Sequence, residues 1–251
     1  MPVSNKKVIN SLSRFLDLWV PQRMNFEHIP GLSIGVISEG KLVLQKGYGY
    51  ADVEKRVRAK PETNYRIASI SKMFTAVALL QLAEQKKLHL DDSVSSYLPW
   101  LKVKKGKQEA KDVTIRQVLS HTAGLWRDGK VSPFATDKFP TTHDLQKALT
   151  ADALTFATLE QFKYSNFAFA LLGEVVREVS GEEYPRYINA HILQPLRMHN
   201  TAADLRSNIP NLATGYGRFI FTVLGRASLK GGESNTSGME ADSKDLLPGY
   251  W

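Results

Sequence analysis

The sequence has 251 residues, 43% hydrophobic and 23% charged, which is enough for one large globular domain or two small ones. It has no cysteine, which excludes disulfides, thiol nucleophiles and thiolate metal sites and fits any compartment. The formal charge of +8 comes from 33 Lys and Arg against 25 Asp and Glu; its densest run, Lys102, Lys104, Lys105, Lys107 and Lys111 around Gly106, has no interleaved aromatic and reads as a solvated loop, so no nucleic-acid partner is expected.

Residues 5–20 carry the spacing of an amphipathic helix. Val8, Ile9, Leu12, Phe15, Leu16, Leu18 and Trp19 are interrupted by Asn10, Arg14 and Asp17, which is not the continuous apolar core of a secretion signal. The longest apolar run, after Lys72, is too short to span a bilayer, and the chain reads as a soluble, cytoplasmic protein with no membrane span. Pro30 and Gly31 break the chain. Leu32–Ser38, the two-residue turn Glu39-Gly40 and Lys41–Tyr48 then make a β-hairpin signal. Gly47-Tyr48-Gly49 has no helix behind it and reads as a strand-end kink, not a phosphate loop.

The next helix runs from about Ser69 to Lys87. Met73, Phe74, Ala76, Val77, Ala78, Leu79, Leu80, Leu82 and Ala83 are apolar on nearly every side, the pattern of a buried helix. Asp91 and Asp92 read as caps for the next segment, and Pro99 marks a turn. Thr114–Ser120 is a short helix closed by His121-Thr122-Ala123-Gly124-Leu125. Residues 126–140 read as a long surface loop, and Thr141–Thr150 as a helix with Thr141 and Asp144 spaced as a capping box. Tyr164-Ser165-Asn166 opens an apolar helix ended by Gly181; Glu182–Leu193 is another, with Pro185 in its first turn and Pro195 at its end. Beyond Arg206 the signals weaken: Phe219–Leu224 is a candidate strand, and residues 229–245 are polar and aperiodic. Strands first, then a helical stretch, then a weakly patterned tail is an α+β order whose sheet has few strands of its own.

Two short motifs carry chemistry. Ser69 and Lys72 form Ser-x-x-Lys at the start of the apolar helix. Residues three apart share a helix face, so the lysine would stand one turn above the serine, and the helix N-terminus adds free N–H groups and partial positive charge. Those are the needs of a nucleophilic serine, although a lone Ser-x-x-Lys is as well explained by a helix cap. Tyr164-x-Asn166 stands where the second apolar helix begins. Beside a lysine, a tyrosine can be pushed towards phenolate, or the lysine can lose its proton in a desolvated site; either could take the proton of Ser69. The asparagine amide could hold Lys72 and a substrate amide together. Taken singly, Tyr164 reads as a packed tyrosine and Asn166 as an N-cap. His28, His89, His143, His191 and His199 lack metal-ligand spacing, and neither metal nor cofactor is expected.

Taken together, these motifs and the segments around them resemble the serine β-lactamase and penicillin-binding-protein superfamily, in its class C-like branch. The resemblance runs from about Gly31 to Tyr216, through Gly47-Tyr48-Gly49-Tyr50-Ala51-Asp52, Tyr65-Arg66-Ile67-Ala68-Ser69, Leu88-His89-Leu90-Asp91-Asp92, Ser120–Leu125, Leu171-Leu172-Gly173-Glu174 and Gln194-Pro195-Leu196. It implies an antiparallel sheet flanked by helices together with an all-helical lobe. Residues 1–89 would form the first part of the α/β region, 90–205 the helical lobe, and 206–251 a tail returning towards the sheet. It also implies an acyl-enzyme route with Ser69 as nucleophile, Lys72 and Tyr164 as the proton-transfer pair, and Asn166 on the substrate. In this family the segment matching His121-Thr122-Ala123-Gly124 is a structural loop, so His121 is not expected to be catalytic.

The sequence departs from the family in two places. The family's third element, Lys-Thr-Gly or His-x-Gly on a central strand, supplies an oxyanion N–H and binds the substrate carboxylate. Lys230-Gly231-Gly232 is its nearest imitation here, and it comes early, in a polar stretch. Arg197 stands where relatives usually have glycine. The expected sheet is therefore incomplete, and self-association is one way to complete it. The function expected is a serine hydrolase acting on a small-molecule ester or amide. A catalytically impaired binding or scaffold member or a truncated form lacking the third element, or an acyltransferase, is the alternative.

Overall fold

The computed structural model describes residues 6–105, 108–109, 113–128, 143, 145–146, 150–151, 154–203 and 209–216. The described residues up to Arg66, together with 209–216, form one compact unit, and those from Ile67 to 203 form another.

In the first unit, helix α1 (Lys6–Glu27) is followed by strands β1 (Gly31–Ser38), β2 (Lys41–Asp52) and β3 (Val57–Arg58). The strands form an antiparallel sheet in the order β1-β2-β3. Glu39 and Gly40 both take positive φ, 52° and 72°, the mirror-image turn whose twist matches a two-residue hairpin. The helix runs past the expected end at residue 20 and through Pro21, because its inner face continues: Leu16, Val20 and Met24 are buried against Leu32, Ile34, Leu44 and Tyr48. Asp17 on the same helix accepts from Lys46 Nζ at 2.6 Å and from the Tyr48 hydroxyl at 3.0 Å. The glycine-rich stretch lies within β2. Gly49 sits at φ +70°, and a Cβ there would lie 2.2 Å from the Pro30 carbonyl oxygen, so the kink is a place where two backbones touch. Residues 209–216 return to the far end of β2: Thr214 N donates to Ala51 O at 2.9 Å, Ala213 N to Asn64 O at 2.8 Å, and the Tyr216 hydroxyl to Glu54 Oε2 at 2.5 Å.

The second unit is mainly helical. Its elements are α2 (Ser71–Glu84), α3 (Val94–Tyr97), β4 (Lys102–Lys105), β5 (Gln108–Glu109), α4 (Ile115–Leu119), β6 (Thr150–Ala151), α5 (Asn166–Ser180) and α6 (Tyr184–Ile188). The core is built on α5, whose residues from Phe167 to Val176 are all buried. Ala78, Leu79 and Leu82 of α2, Val94 of α3, Ile115 and Val118 of α4, and Tyr187 and Ile188 of α6 join the same cluster. Thr75 and Tyr184, both buried, satisfy each other through a 2.7 Å hydrogen bond. Thr114 and Gln117 close a capping box on α4. Asp92 is not the cap of α3, which is Ser93; its carboxylate accepts from His89 N at 2.7 Å and from the Tyr97 hydroxyl at 2.5 Å.

Several expectations change. The basic run begins as a strand, not a loop: β4 pairs antiparallel with β5 and parallel with β6. The helix expected from Ser69 to Lys87 is a 3₁₀ turn over Ala68–Ile70 followed by α2. It is apolar on nearly every side but buried on one face only: Ile70, Met73, Val77 and Leu80 are between 41% and 61% exposed. Helix α6 is followed by a π-helical turn over Asn189–Leu193. Arg197 has a φ of 56°, which accounts for the glycine usual at that position. Residues 143, 145 and 146 are helical, whereas Thr141, Asp144, most of the loop 126–140, Phe219–Leu224 and Lys230-Gly231-Gly232 lie outside the described residues. Among the described residues, no helix is long and apolar enough to cross a membrane.

Candidate active site

Ala68 takes a positive φ of 45°, unusual for alanine, and turns the chain into the 3₁₀ turn that carries Ser69. The Ser69 side chain is therefore presented ahead of α2 and not by the α-helix itself. The N–H of Ile70 is engaged by the Ile67 carbonyl at 3.1 Å, so one of the free N–H groups expected at this terminus is spent. Lys72 lies in the first turn of α2, and its Nζ donates to Ser69 Oγ at 3.2 Å. The spacing of three residues thus places the lysine amine beside the serine hydroxyl.

The second half of the site stands at the start of α5. Ser165, not Asn166, is the N-cap: its hydroxyl accepts from Ala168 N at 2.9 Å and donates to the Trp126 carbonyl. With Ser165 fixed, its neighbours are aimed. The Tyr164 hydroxyl donates to Ser69 Oγ at 2.6 Å, and Asn166 Oδ1 accepts from Lys72 Nζ at 2.7 Å. The structure therefore brings Ser69, Lys72, Tyr164 and Asn166 into one hydrogen-bonded cluster, across 94 or 95 positions of sequence. Lys72 Nζ also lies 5.0 Å from the centre of the Tyr164 ring.

The electrostatics follow from this packing. Burial opposes ionisation of Tyr164, but its bonds with Lys72 and Ser69 and the positive charges of Lys72 and Arg127 outweigh it, and its pKa falls below the ordinary value of 10.0. A tyrosine so placed can exchange a proton with the serine hydroxyl it touches.

His121 is near this cluster but has no hydrogen bond to Ser69 among the described residues. Its Nδ1 accepts from Ser165 N at 3.2 Å, and its ring packs at a tilt against Tyr164 at 4.6 Å and Phe169 at 5.1 Å. Burial, then the charge of Lys72, pushes its pKa below 6.5, which keeps the imidazole neutral and Nδ1 an acceptor. The turn after it is equally tied down: Gly124, at φ +72°, packs so closely that a Cβ would lie 2.1 Å from the Phe156 carbonyl oxygen.

Sequence reasoning missed Asp128. Its Oδ1 accepts from Asn166 Nδ2 at 2.6 Å, and its Oδ2 lies 3.3 Å from Arg127 Nε. The Arg127 carbonyl accepts from Asn166 N at 2.8 Å and Phe167 N at 3.1 Å. Nothing local marks Trp126-Arg127-Asp128 apart from any other polar loop start. Among the described residues, no group of His, Asp and Glu is arranged to hold a metal ion.

The profile of the Beta-lactamase family matches residues 16–232. The chain belongs to that family. It is thereby placed in the serine β-lactamase and penicillin-binding-protein superfamily, with the α+β fold that goes with it. It is 37% identical over 211 residues to "Protein flp" of Staphylococcus aureus (strain MW2), covering 84% of this chain and 42% of the relative. It is 30% identical over 186 residues to the teichoic acid D-alanine hydrolase of Staphylococcus aureus, covering 73% of this chain and 44% of that one. Among solved structures it resembles EstCE1, described as a hydrolase with promiscuous acyltransferase activity, with a TM-score of 0.73, 30% identity, and coverage of 86% of this chain and 59% of that one. The family and these relatives are of the serine-hydrolase kind. The chain spans less than half the length of the curated relatives it matches.

Proposed function

We propose that this chain carries the Ser-x-x-Lys and Tyr-x-Asn elements of a serine hydrolase that cleaves an ester or amide through an acyl-enzyme on Ser69. The observation that carries the reading is the convergence on one oxygen: Ser69 Oγ is 2.6 Å from the Tyr164 hydroxyl and 3.2 Å from Lys72 Nζ. Tyr164, as phenolate, takes the hydroxyl proton while Oγ bonds to the substrate carbonyl carbon. The tetrahedral adduct collapses, the bond to the leaving oxygen or nitrogen breaks, and Tyr164 returns the proton to that atom. Water then attacks the acyl carbon by the same proton transfer in reverse, releasing the acid and Ser69. Lys72 supplies positive charge beside the phenolate, and Asn166 anchors Lys72 and faces the substrate.

An ester or amide is the substrate class, and similarity to a teichoic acid D-alanine hydrolase and to EstCE1, a hydrolase, supports hydrolysis. Acyl transfer is the second reading. It uses the same acyl-enzyme with an alcohol or amine in place of water, and EstCE1's described acyltransferase activity favours it. Comparing product formation with and without added acceptor separates the two.

The test is hydrolysis of a chromogenic ester by the chain and by Ser69→Ala. Loss of activity in the variant is expected, and unchanged turnover would overturn the assignment. A penicillin-type acylating probe read by intact mass should place its adduct on Ser69; an adduct elsewhere contradicts the reading independently.

A further inference from the structure

Asn166 has two chemically different ends, and its neighbours decide which end faces which. An ionised carboxylate only accepts hydrogen bonds. The amide end 2.6 Å from Asp128 Oδ1 must therefore be the NH₂ group, and the carbonyl Oδ1 must be the end 2.7 Å from Lys72 Nζ. In the reverse orientation an NH₂ group would face an ammonium, donor against donor, and Lys72 would lose its anchor beside Ser69.

We propose that Asp128 is a positioning residue. It locks the Asn166 carboxamide in the orientation that holds Lys72 on Ser69. The assignment rests on the reading of Ser69 and Lys72 given under Proposed function.

The loop is built to hold Asp128 where this requires. Trp126 accepts the Ser165 hydroxyl, Arg127 accepts the backbone N–H groups of Asn166 and Phe167, and Asp128 takes the Asn166 side chain. Consecutive residues of the loop thus grip consecutive residues at the start of α5. Arg127 Nε lies 3.3 Å from the second carboxylate oxygen, leaving Oδ1 to the amide. The resulting chain of contacts runs Asp128, Asn166, Lys72, Ser69, Tyr164, with each donor meeting an acceptor.

The experiment compares the wild-type 251-residue chain with Asp128→Asn, Asp128→Glu and Ser69→Ala. Two readouts are used: steady-state hydrolysis of a chromogenic ester, and the ¹⁵N-resolved side-chain amide signals of Asn166. Asp128→Asn removes the acceptor-only partner. It should lower kcat about ten- to a hundredfold, the size of a lost charge-assisted hydrogen bond, and leave KM within about twofold. It should also shift the Asn166 amide protons and speed their exchange with solvent. Asp128→Glu, which keeps the carboxylate, should restore a large part of both. Unchanged Asn166 amide signals in Asp128→Asn would overturn the proposal. So would a loss confined to KM, or a failure of the Glu variant to recover either readout in a folded protein. If Ser69→Ala retains hydrolysis, the reading of the nucleophile falls instead, and the amide signals still decide whether Asp128 orients Asn166. The same signals decide it if the chain alone turns over no ester.

Discussion

At the residue scale, the site depends on how Tyr164 is treated by its surroundings. Desolvation raises its pKa, while Lys72 and Ser69 lower it, and the lowering wins. On the proposed mechanism the base is the Tyr164 phenolate, so kcat/KM for an ester should rise with pH and level off at a pKa below 10.0. Tyr164→Phe should lose that rising limb and about 10²- to 10⁴-fold in rate, as measured by a pH–rate profile of both proteins. A profile of unchanged shape in the variant would reassign the base. Ser69, Lys72, Tyr164 and Asn166 are all legible in the sequence, because each pair lies within one turn of backbone and carries its geometry with it. Asp128 is not, because its partner lies 38 positions away and its own surroundings are those of an ordinary loop.

At the element scale, the start of α5 organises the site. Ser165 caps the helix, is 1% exposed, and binds both Ala168 N and the Trp126 carbonyl. Ser165→Ala should destabilise the chain by about 1–2 kcal/mol, the upper part of the range for a lost N-cap, as read by urea denaturation. A change below about 0.5 kcal/mol would mean that the cap is not holding the segment. Helix α5 itself is readable as a long apolar run between a serine cap and Gly181. Helix α2 shows where pattern reading fails. Its composition predicts burial on every side, yet Met73, Val77 and Leu80 are exposed. Composition records what a face is suited to touch; it does not supply the element that touches it. The basic run at Lys102 misleads for a related reason: lysines on a short strand look like a solvated loop until a partner strand is in place.

At the scale of the whole molecule, the described chain leaves apolar surface and backbone uncovered. Strand β1 pairs with β2 on one side and, among the described residues, with no strand on the other. Ile37 and Leu42, paired across the hairpin, are 71% and 57% exposed. An open edge with apolar side chains is a template for pairing with another chain. The chain is therefore proposed to self-associate, with concentration-dependent sedimentation as the expected result. Replacing Ile37 with Lys and Leu42 with Glu should shift it towards the monomer. Sedimentation as a monomer at all concentrations would remove the proposal.

The sequence by itself determined the family, the α+β order, the hairpin turn and the residue types that meet at Ser69 Oγ. Those rest on local signals: positive-φ turn residues, helix caps, and side chains three or two positions apart. Only the tertiary structure decided that Ser69 stands in a 3₁₀ turn, that Ser165 caps α5, and that Asp128 meets the Asn166 amide. Asp128 meets Asn166 from 38 positions away, and the choice of Ser165 as cap and the positive φ of Ala68 are backbone conformations that residue types alone do not specify. No local pattern encodes which end of an amide will meet a carboxylate from another loop.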